Sequence, residues 1–217
     1  NPSDSIIMNV INDSAEDLII EIIEKLEIEV LISVQHRWVL TEKVLSKING
    51  NAFNLHNAKL PEFKGYNSIS HAIYSNALKY FVTIHKIEPE VDSGSIVAES
   101  DFEISSDETA LSLYKKTIPV AKLLFEKFLS LLSDNSLELK PHSGKGLFYS
   151  KNSLDDLRLL KLSDCEETLC RKVRAVYFPP YEPAYFLIND KKIYCLPDNS
   201  NSNLWLSEVP LNKSKFD

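Results

Sequence analysis

The sequence has few of the residues that would stabilise a fold through cross-links or bound metal ions. Its 217 residues include three cysteines, Cys165, Cys170 and Cys195, and none of them belongs to a Cys-x-x-Cys pair. An odd number of cysteines at these spacings favours neither a disulfide framework nor a zinc site. We therefore expect free thiols in a reducing compartment and no bound metal.

Long apolar runs and an excess of basic residues are also lacking. No run approaches the ~18 residues of a membrane-spanning helix, and the opening residues do not have the pattern of a signal peptide. Lys and Arg number 24 against 31 Asp and Glu, a formal net charge of -7. This balance argues against phosphate-driven binding of nucleic acid, although a local basic pocket could still bind a phosphorylated small molecule. We expect a cytoplasmic protein with neither nucleic acid nor membrane as a partner.

The first half of the sequence alternates between helical and strand patterns. Apolar residues make up 44% of the chain, which is enough for one large domain or for one domain with an appendage. The alternation predicts an α/β fold with a Rossmann-like, mixed and mostly parallel sheet and flanking helices. The predicted elements are helices over residues 14–26, 41–48 and 67–76, and strands over residues 29–34 and 52–55.

Two longer strands and a long helix follow. Residues 80–87 and 95–104 alternate as strands around a short turn, which predicts an antiparallel edge of the sheet. The helix should begin near Asp107, with Ser105 and Glu108 as a capping box, and Pro119 should kink it.

The composition of the sequence changes after residue 133, where a polar and turn-rich stretch begins. We predict a catalytic core over residues 1–133 and a C-terminal appendage over residues 134–217. The appendage should be a small α+β unit with a hairpin formed by residues 184–188 and 191–196.

Three polar residues are candidates for chemistry. Asn54 and His56 lie at the carboxyl end of a predicted strand, where open α/β sheets bind ligands, and Asp92 lies in the turn between the two antiparallel strands. An amide donor, a titratable base and a carboxylate to orient it suit acyl transfer. On these residues alone, ordinary capping of a strand and a turn is an equally open interpretation.

The wider pattern resembles the 10-formyltetrahydrofolate-dependent formyltransferases. NLHNAKLPEFKGYNSISHAI followed by YFVTIHKIEPEVDSGSIV is similar to the family's order of an Asn-x-His strand end, a Leu-Pro-x-aromatic-x-Gly loop, a Val-Thr-Ile-His strand and an Asp-x-Gly turn. The similarity runs over roughly residues 30–132. The family's opening strand and helix have no counterpart ahead of Asn1, and Met8 is the one methionine, so we expect the natural start to be missing.

The resemblance implies a set of roles. The formyl donor would be 10-formyltetrahydrofolate and the acceptor an amine. Asn54 would stabilise the oxyanion together with His56, His56 or a water held by it would remove the amine proton, and Asp92 would orient His56. The residues implied to bind the cofactor are Gln35, His36, Trp38, Leu60 and Gly65, with loop packing as the alternative for His36.

The similarity is strongest to enzymes that formylate nucleotide-linked amino-sugars. Residues 65–73 (GYNSISHAI) and 178–186 (FPPYEPAYF) both look like that branch. The segment Arg174-Ala-Val-Tyr-Phe178-Pro-Pro looks like the Arg-Ala-aromatic-Pro-Pro segment that sugar and tRNA formyltransferases share. Such an enzyme would act on a substrate such as a dTDP-4-amino-4,6-dideoxyhexose for O-antigen, lipopolysaccharide or other surface glycans, and would form a homodimer through the hairpin. The residues implied to contact substrate are Tyr66, Asn67, Tyr149, Arg174 and Phe178, with core or hairpin packing as the alternative for the aromatics.

Other functions stay open at this point. A methionyl-tRNA formyltransferase-like enzyme, a hydrolase that releases formate from formyltetrahydrofolate, and a non-catalytic binding module could all use this fold. His71 we expect to be structural, and His85 we expect to face the core or the sheet.

Overall fold

The computed structural model describes residues 16–35, 39–142 and 146–198. In chain order its elements are α1 (Glu16–Lys25), β1 (Leu31–Val34), α2 (Glu42–Lys47), β2 (Ala52–His56), β3 (Phe63–Gly65), α3 (Ser68–Tyr74), β4 (Lys79–Lys86), β5 (Ile96–Glu103), α4 (Ala110–Ser133), β6 (Leu147–Tyr149), α5 (Asp155–Arg158), α6 (Glu166–Val176), β7 (Ala184–Ile188) and β8 (Lys191–Cys195).

The central sheet has the strand order β1-β2-β4-β5. β1 and β2 are parallel, whereas β2–β4 and β4–β5 are antiparallel. This confirms the mixed α/β class and the antiparallel pair at the edge. Among the described strands, the central sheet has fewer parallel pairs than the mostly parallel sheet that the sequence predicted. In the β2–β4 pair, Thr83 lies opposite His56 and the two strands run in opposite directions.

The main core lies between this sheet and α4. Phe128 of α4 is fully buried and its ring centre lies 5.1 Å from that of Phe53 on β2. Val82 and Ile84 of β4 complete the apolar face beneath the helix. Leu124 of α4 belongs to the same cluster, since residues four apart lie on one face of a helix.

Truncating the core aromatic should destabilise the fold strongly. We expect Phe128→Ala to lower the free energy of unfolding by about 3–5 kcal/mol, because it removes a buried ring and leaves a cavity. Urea denaturation followed by circular dichroism measures the change. Leu123→Ala is the control, since Leu123 lies on the same helix with 67% of its surface exposed. Equal losses in the two variants would contradict the assignment of this core.

The start of α4 differs from the prediction. The helix begins at Ala110, and Thr109 is its N-cap, with its hydroxyl accepting from the Ser112 backbone N–H while Ser112 reaches back to Thr109. The predicted Ser105–Glu108 capping box is wrong because the Glu108 carboxylate binds Ser112 and Lys116 instead. Pro119 lies inside the helix without ending it, and the kink stays a prediction.

Within the described ranges, no helix combines the length and the apolarity needed to cross a membrane.

The chain beyond α4 packs closely on the rest. β6 pairs in parallel with β3, and Lys140 forms a bridge with Ile96 at the start of β5. Ala175 of α6 lies in one apolar cluster with Ala72 of α3 and Leu113 of α4. β7 and β8 form the predicted hairpin. The division into a core and an appendage at residue 133 stays a prediction, because this cluster includes residues from both sides of it.

Candidate active site

Four polar side chains meet at the carboxyl end of β2. Asn54 and His56 belong to β2 itself, His85 lies opposite Asn54 on β4, and Asp92 follows β4 in a loop with a φ of +50°. His56, His85 and the side chain of Asp92 are all at least nine-tenths buried, and Asn54 is partly buried. The three catalytic candidates from the sequence therefore lie together, and His85 joins them.

One nitrogen of His56 is fixed by a backbone carbonyl. Nε2 lies 2.8 Å from Phe63 O, and because a carbonyl oxygen only accepts, Nε2 must donate. The other nitrogen, Nδ1, lies 3.8 Å from Asp92 Oδ2. In a neutral ring Nδ1 therefore carries the lone pair, and a proton taken there would lie beside a carboxylate.

Burial sets the ionisation of His56. Desolvation lowers the pKa of His56, the neighbouring His85 lowers it further, and the Asp92 charge and the Phe63 carbonyl only partly offset these effects. The net shift is downward, so the free-base form is favoured at neutral pH. A neutral imidazole beside a carboxylate is suited to accept a proton.

Asp92 is held as a carboxylate. Burial by itself raises the pKa of Asp92, but hydrogen bonding to His85, the charge of His56 and the Gly65 N–H outweigh it, and the net shift is downward. Gly65 N donates to Asp92 Oδ2 over 2.8 Å. The aspartate is thus positioned by the backbone of β3 and faces both imidazoles.

His85 is the site residue that the sequence did not identify. Its Nδ1 donates to Lys86 O over 2.8 Å, and its Nε2 lies 3.2 Å from Asn54 Nδ2 and 3.4 Å from Asp92 Oδ1. A neutral His85 therefore accepts from Asn54, and a protonated one donates to Asp92. The signal that could have found it is the register of β4 against β2, which places His85 directly opposite Asn54.

Asn54 retains hydrogen-bonding capacity. Its amide nitrogen carries two protons, and one of them is directed at His85. The second is available to an oxygen on which negative charge develops. An amide donor, a neutral imidazole and a carboxylate at one sheet edge are what acyl transfer to an amine requires.

The residues predicted to bind the cofactor differ from one another in their burial and in their contacts. Gln35 follows β1 and donates to the Tyr114 hydroxyl over 3.2 Å. Leu60 is 3% exposed, so its side chain is enclosed by protein. Gly65 has a φ of +83°, and a Cβ there would lie 2.5 Å from Tyr149 O, so the position requires glycine. His36 and Trp38 lie outside the described residues.

Asn57, which the sequence did not single out, lies next to His56. Its Nδ2 donates to Thr117 Oγ1 over 3.2 Å, and the Thr117 hydroxyl in turn donates to Tyr114 O. Its buried Oδ1 has no hydrogen-bond partner in the part of the chain that the structure describes. A buried acceptor without a donor is uncommon and calls for a ligand or a water.

The residues predicted to bind substrate fall into two groups. Tyr66 and Asn67 lie just beyond Gly65 and close to β6, which carries Tyr149. Arg174 and Phe178 lie where α6 meets α4. Arg174 Nη1 donates to Glu108 O, and the Phe178 ring lies 5.3 Å from that of Tyr114. The last two residues therefore have partners within the fold.

His71, which we expected to be structural, lies inside the fold, and its titration can be tested. It is buried, its Nε2 lies 2.8 Å from Ser153 Oγ, and desolvation lowers the pKa of His71 from 6.5 to about 4. A base with a depressed pKa in the folded state contributes stability above its unfolded pKa and loses it as the pH falls. We expect the wild type to lose stability relative to His71→Gln between pH 6.5 and about 4. Denaturation at a series of pH values checks this, and a constant difference between the two proteins would contradict it.

The fold and this edge together define an α/β protein equipped for acyl transfer. Residues 11–128 match the sequence model of the family described as formyl transferase. This match covers more than half of the chain, and the chain belongs to the formyl transferase family.

Solved structures share the fold. A sugar N-formyltransferase from a Shewanella species is 21% identical with a TM-score of 0.75, over 86% of this chain and 75% of that one. A 4-N formyltransferase from Francisella tularensis is 19% identical with a TM-score of 0.75, over the same shares of 86% and 75%. An N-formyltransferase from Helicobacter canadensis, in complex with folinic acid and dTDP-3-aminofucose, is 23% identical with a TM-score of 0.65, over 75% of this chain and 59% of that one.

Proposed function

We propose that this protein transfers a formyl group from 10-formyltetrahydrofolate to the amine of a nucleotide-linked amino-sugar. The observation that carries the proposal is the close grouping of the partly buried Asn54 with the buried side chains of His56 and Asp92, inside the segment that matches the family. The same proposal gives these three residues the catalytic roles.

The chemistry follows from the geometry of the set. The folate donor would supply a formyl carbonyl activated for attack by an amine. Asn54 Nδ2 would donate its second proton to the carbonyl oxygen as that oxygen becomes negative. His56 Nδ1 would accept the proton that the amine loses on forming the new C–N bond. It would return that proton to N10 of the folate when the bond between N10 and the formyl carbon breaks and tetrahydrofolate leaves. Asp92 would stabilise the resulting imidazolium, whose Nε2–H is already bound to Phe63 O.

The donor would bind beside the parallel pair β1–β2. Ligands of open α/β sheets bind outside the carboxyl ends of the strands, and the two parallel strands end at Val34 and His56. The orphaned Asn57 Oδ1 in this region fits a ligand with N–H donors, such as a pterin. We propose Gln35, His36, Trp38 and Gly65 as cofactor contacts, with the enclosed Leu60 contributing through its backbone.

The acceptor would bind on the other side of Gly65. The Helicobacter canadensis protein is in complex with a dTDP-linked amino-sugar, which supports an acceptor of this class here. Tyr66 has 44% of its surface exposed, so its ring could lie against a sugar. Asn67, Tyr149, Arg174 and Phe178 are proposed as further contacts.

The wider setting is also proposed. The product would enter O-antigen, lipopolysaccharide or another surface glycan, and the enzyme would work in the cytoplasm, without nucleic acid or membrane as a partner. Leu187, Ile188 and Ile193 of the β7–β8 hairpin are about half exposed, and we propose that they contact a second copy in a homodimer.

The decisive experiment offers the protein 10-formyltetrahydrofolate and a panel of nucleotide-linked 3-amino and 4-amino sugars. Mass spectrometry should detect the gain of one formyl group on one of the sugars. Formate release without any amino-sugar would point to a hydrolase, and formylation of methionyl-tRNA alone would point to the tRNA branch. Either of these outcomes, without a formylated sugar, would overturn the proposal.

A further inference from the structure

The two catalytic side chains that depend on β3 receive their hydrogen bonds from its backbone. Phe63 O accepts from His56 Nε2, and Gly65 N donates to Asp92 Oδ2, each over 2.8 Å. Any displacement of β3 would therefore change the orientation of His56 and Asp92 together. The contacts that fix the position of β3 therefore also fix the orientation of these two side chains.

Among the described strands, β3 pairs with β6 and with no strand of the central sheet. This pairing runs from Phe63 opposite Leu147 to Gly65 opposite Tyr149, and Tyr66 N donates to Tyr149 O over 2.9 Å. The fit leaves no space for further atoms, because a Cβ on Gly65 or Gly146 would overlap with the partner segment. The strand that pairs with β3 thus comes from the chain beyond α4, more than 80 residues later in the sequence.

β6 is in turn fastened to α3 by side chains. Asn67 donates to Lys151 O over 3.1 Å and to Ser153 Oγ over 3.2 Å, and it lies 3.4 Å from Ser150 O. The Tyr149 ring stacks on the His71 ring, with 3.7 Å between centres and 17° between planes. One amide and one aromatic stack therefore join residues 149–153 to the start of α3.

We propose that Asn67 and Tyr149 are positioning residues, which hold β6 on β3 and thereby orient His56 and Asp92 before any substrate binds. This assigns both residues a role in the free protein in place of, or in addition to, a contact with sugar. The effect on catalysis rests on the proposed function, whereas the effect on His56 does not.

The proposal makes a prediction about the free protein. If β3 moves, water reaches His56. Relief of burial, the largest cause of its lowered pKa, should raise that pKa by more than the loss of the Phe63 carbonyl contact lowers it. Among the described residues, the ionisable side chains that face His56 are Asp92 and His85, and neither is changed. We expect Asn67→Gly and Tyr149→Ala to raise the pKa of His56 towards that of an exposed imidazole.

The measurement is an NMR titration of the imidazole C–H signals of the full chain without ligands, with the five histidines assigned by single His→Gln variants. Asn67→Gly is the cleaner variant, since Asn67 has a φ of +60°, which glycine adopts without strain. Tyr185→Ala is the matched control, because it removes the same ring from the β7–β8 hairpin, where Tyr185 packs on Tyr194. Thermal unfolding shows which variants are folded at the titration temperature.

The outcomes separate positioning from substrate contact. A positioning role predicts a raised His56 pKa in both variants, an unchanged one in Tyr185→Ala, and a kcat lowered by about tenfold. A purely substrate-binding role predicts a higher KM with the titration of the free protein unchanged. A folded Asn67→Gly protein with the wild-type His56 titration would overturn the proposal. If the wild type transfers no formyl group, the proposed function fails while the titration still decides this inference.

Discussion

Replacing Asn54 with alanine is expected to lower kcat by about 10²–10³-fold, which is the usual effect of removing one donor to a developing oxyanion. Nδ2 of Asn54 offers one proton to His85, and no described residue accepts the second. The alanine variant has no donor for the carbonyl oxygen at the moment when its charge develops. KM should change little, because the uncharged carbonyl of the bound donor gains less from this hydrogen bond than the oxyanion does.

The measurement is steady-state formylation of the amino-sugar identified by mass spectrometry, with saturating folate donor. Asn51→Ala is a matched control, since Asn51 is exposed and precedes the same strand. Loss of the Asn54–His85 hydrogen bond should cost only about 1 kcal/mol of stability, and thermal unfolding checks this. A folded Asn54→Ala protein with near-wild-type kcat would remove Asn54 from the catalytic set.

Local pattern was enough to predict the chain segments that carry the site. β2 could be located because Ala52 to His56 is a short apolar strand with polar residues near its end, and its carboxyl end is where α/β sheets bind ligands. Asp92 could be added because a turn between two alternating strands returns to the same edge. These inferences need only strand period and chain direction.

The members of the site that were missed depend on long-range pairing. His85 enters the site because β4 runs antiparallel to β2 in one particular register, and a shift of one residue would turn it to the other face. Asn67 and Tyr149 were predicted only as substrate contacts, because the partners that they meet through β6 lie more than 75 residues away in the sequence. Single-sequence patterns carry no information on such contacts. The failure of the predicted capping box is local instead, since Thr109 and Ser112 form the box and Glu108 binds Ser112 and Lys116 of the same helix.

Replacing Asp92 with asparagine should have the larger effect on rate, about 10³–10⁴-fold in kcat, as expected when the carboxylate that supports a catalytic histidine is neutralised. Asparagine tolerates the φ of +50° at this position, so the loop should keep its conformation. Its amide oxygen would accept from Gly65 N, which turns the NH₂ group towards His85 Nε2. That group would compete with Asn54 for the same lone pair, and the imidazolium of His56 would lose its counter-charge.

The same substitution has a signature in the pH dependence. The charge of Asp92 raises the pKa of His56, so its removal should lower that pKa further. His56 acts as a base only when neutral, and protonation at low pH inactivates it. The acidic limb of the kcat/KM profile, which reports the free enzyme, should therefore move to lower pH in Asp92→Asn. Asp101→Asn is the control, because Asp101 is exposed and pairs only with Lys79 among the described ion pairs. An acidic limb that moves to higher pH, or a kcat within a few-fold of wild type, would mean that Asp92 does not support His56 as a base.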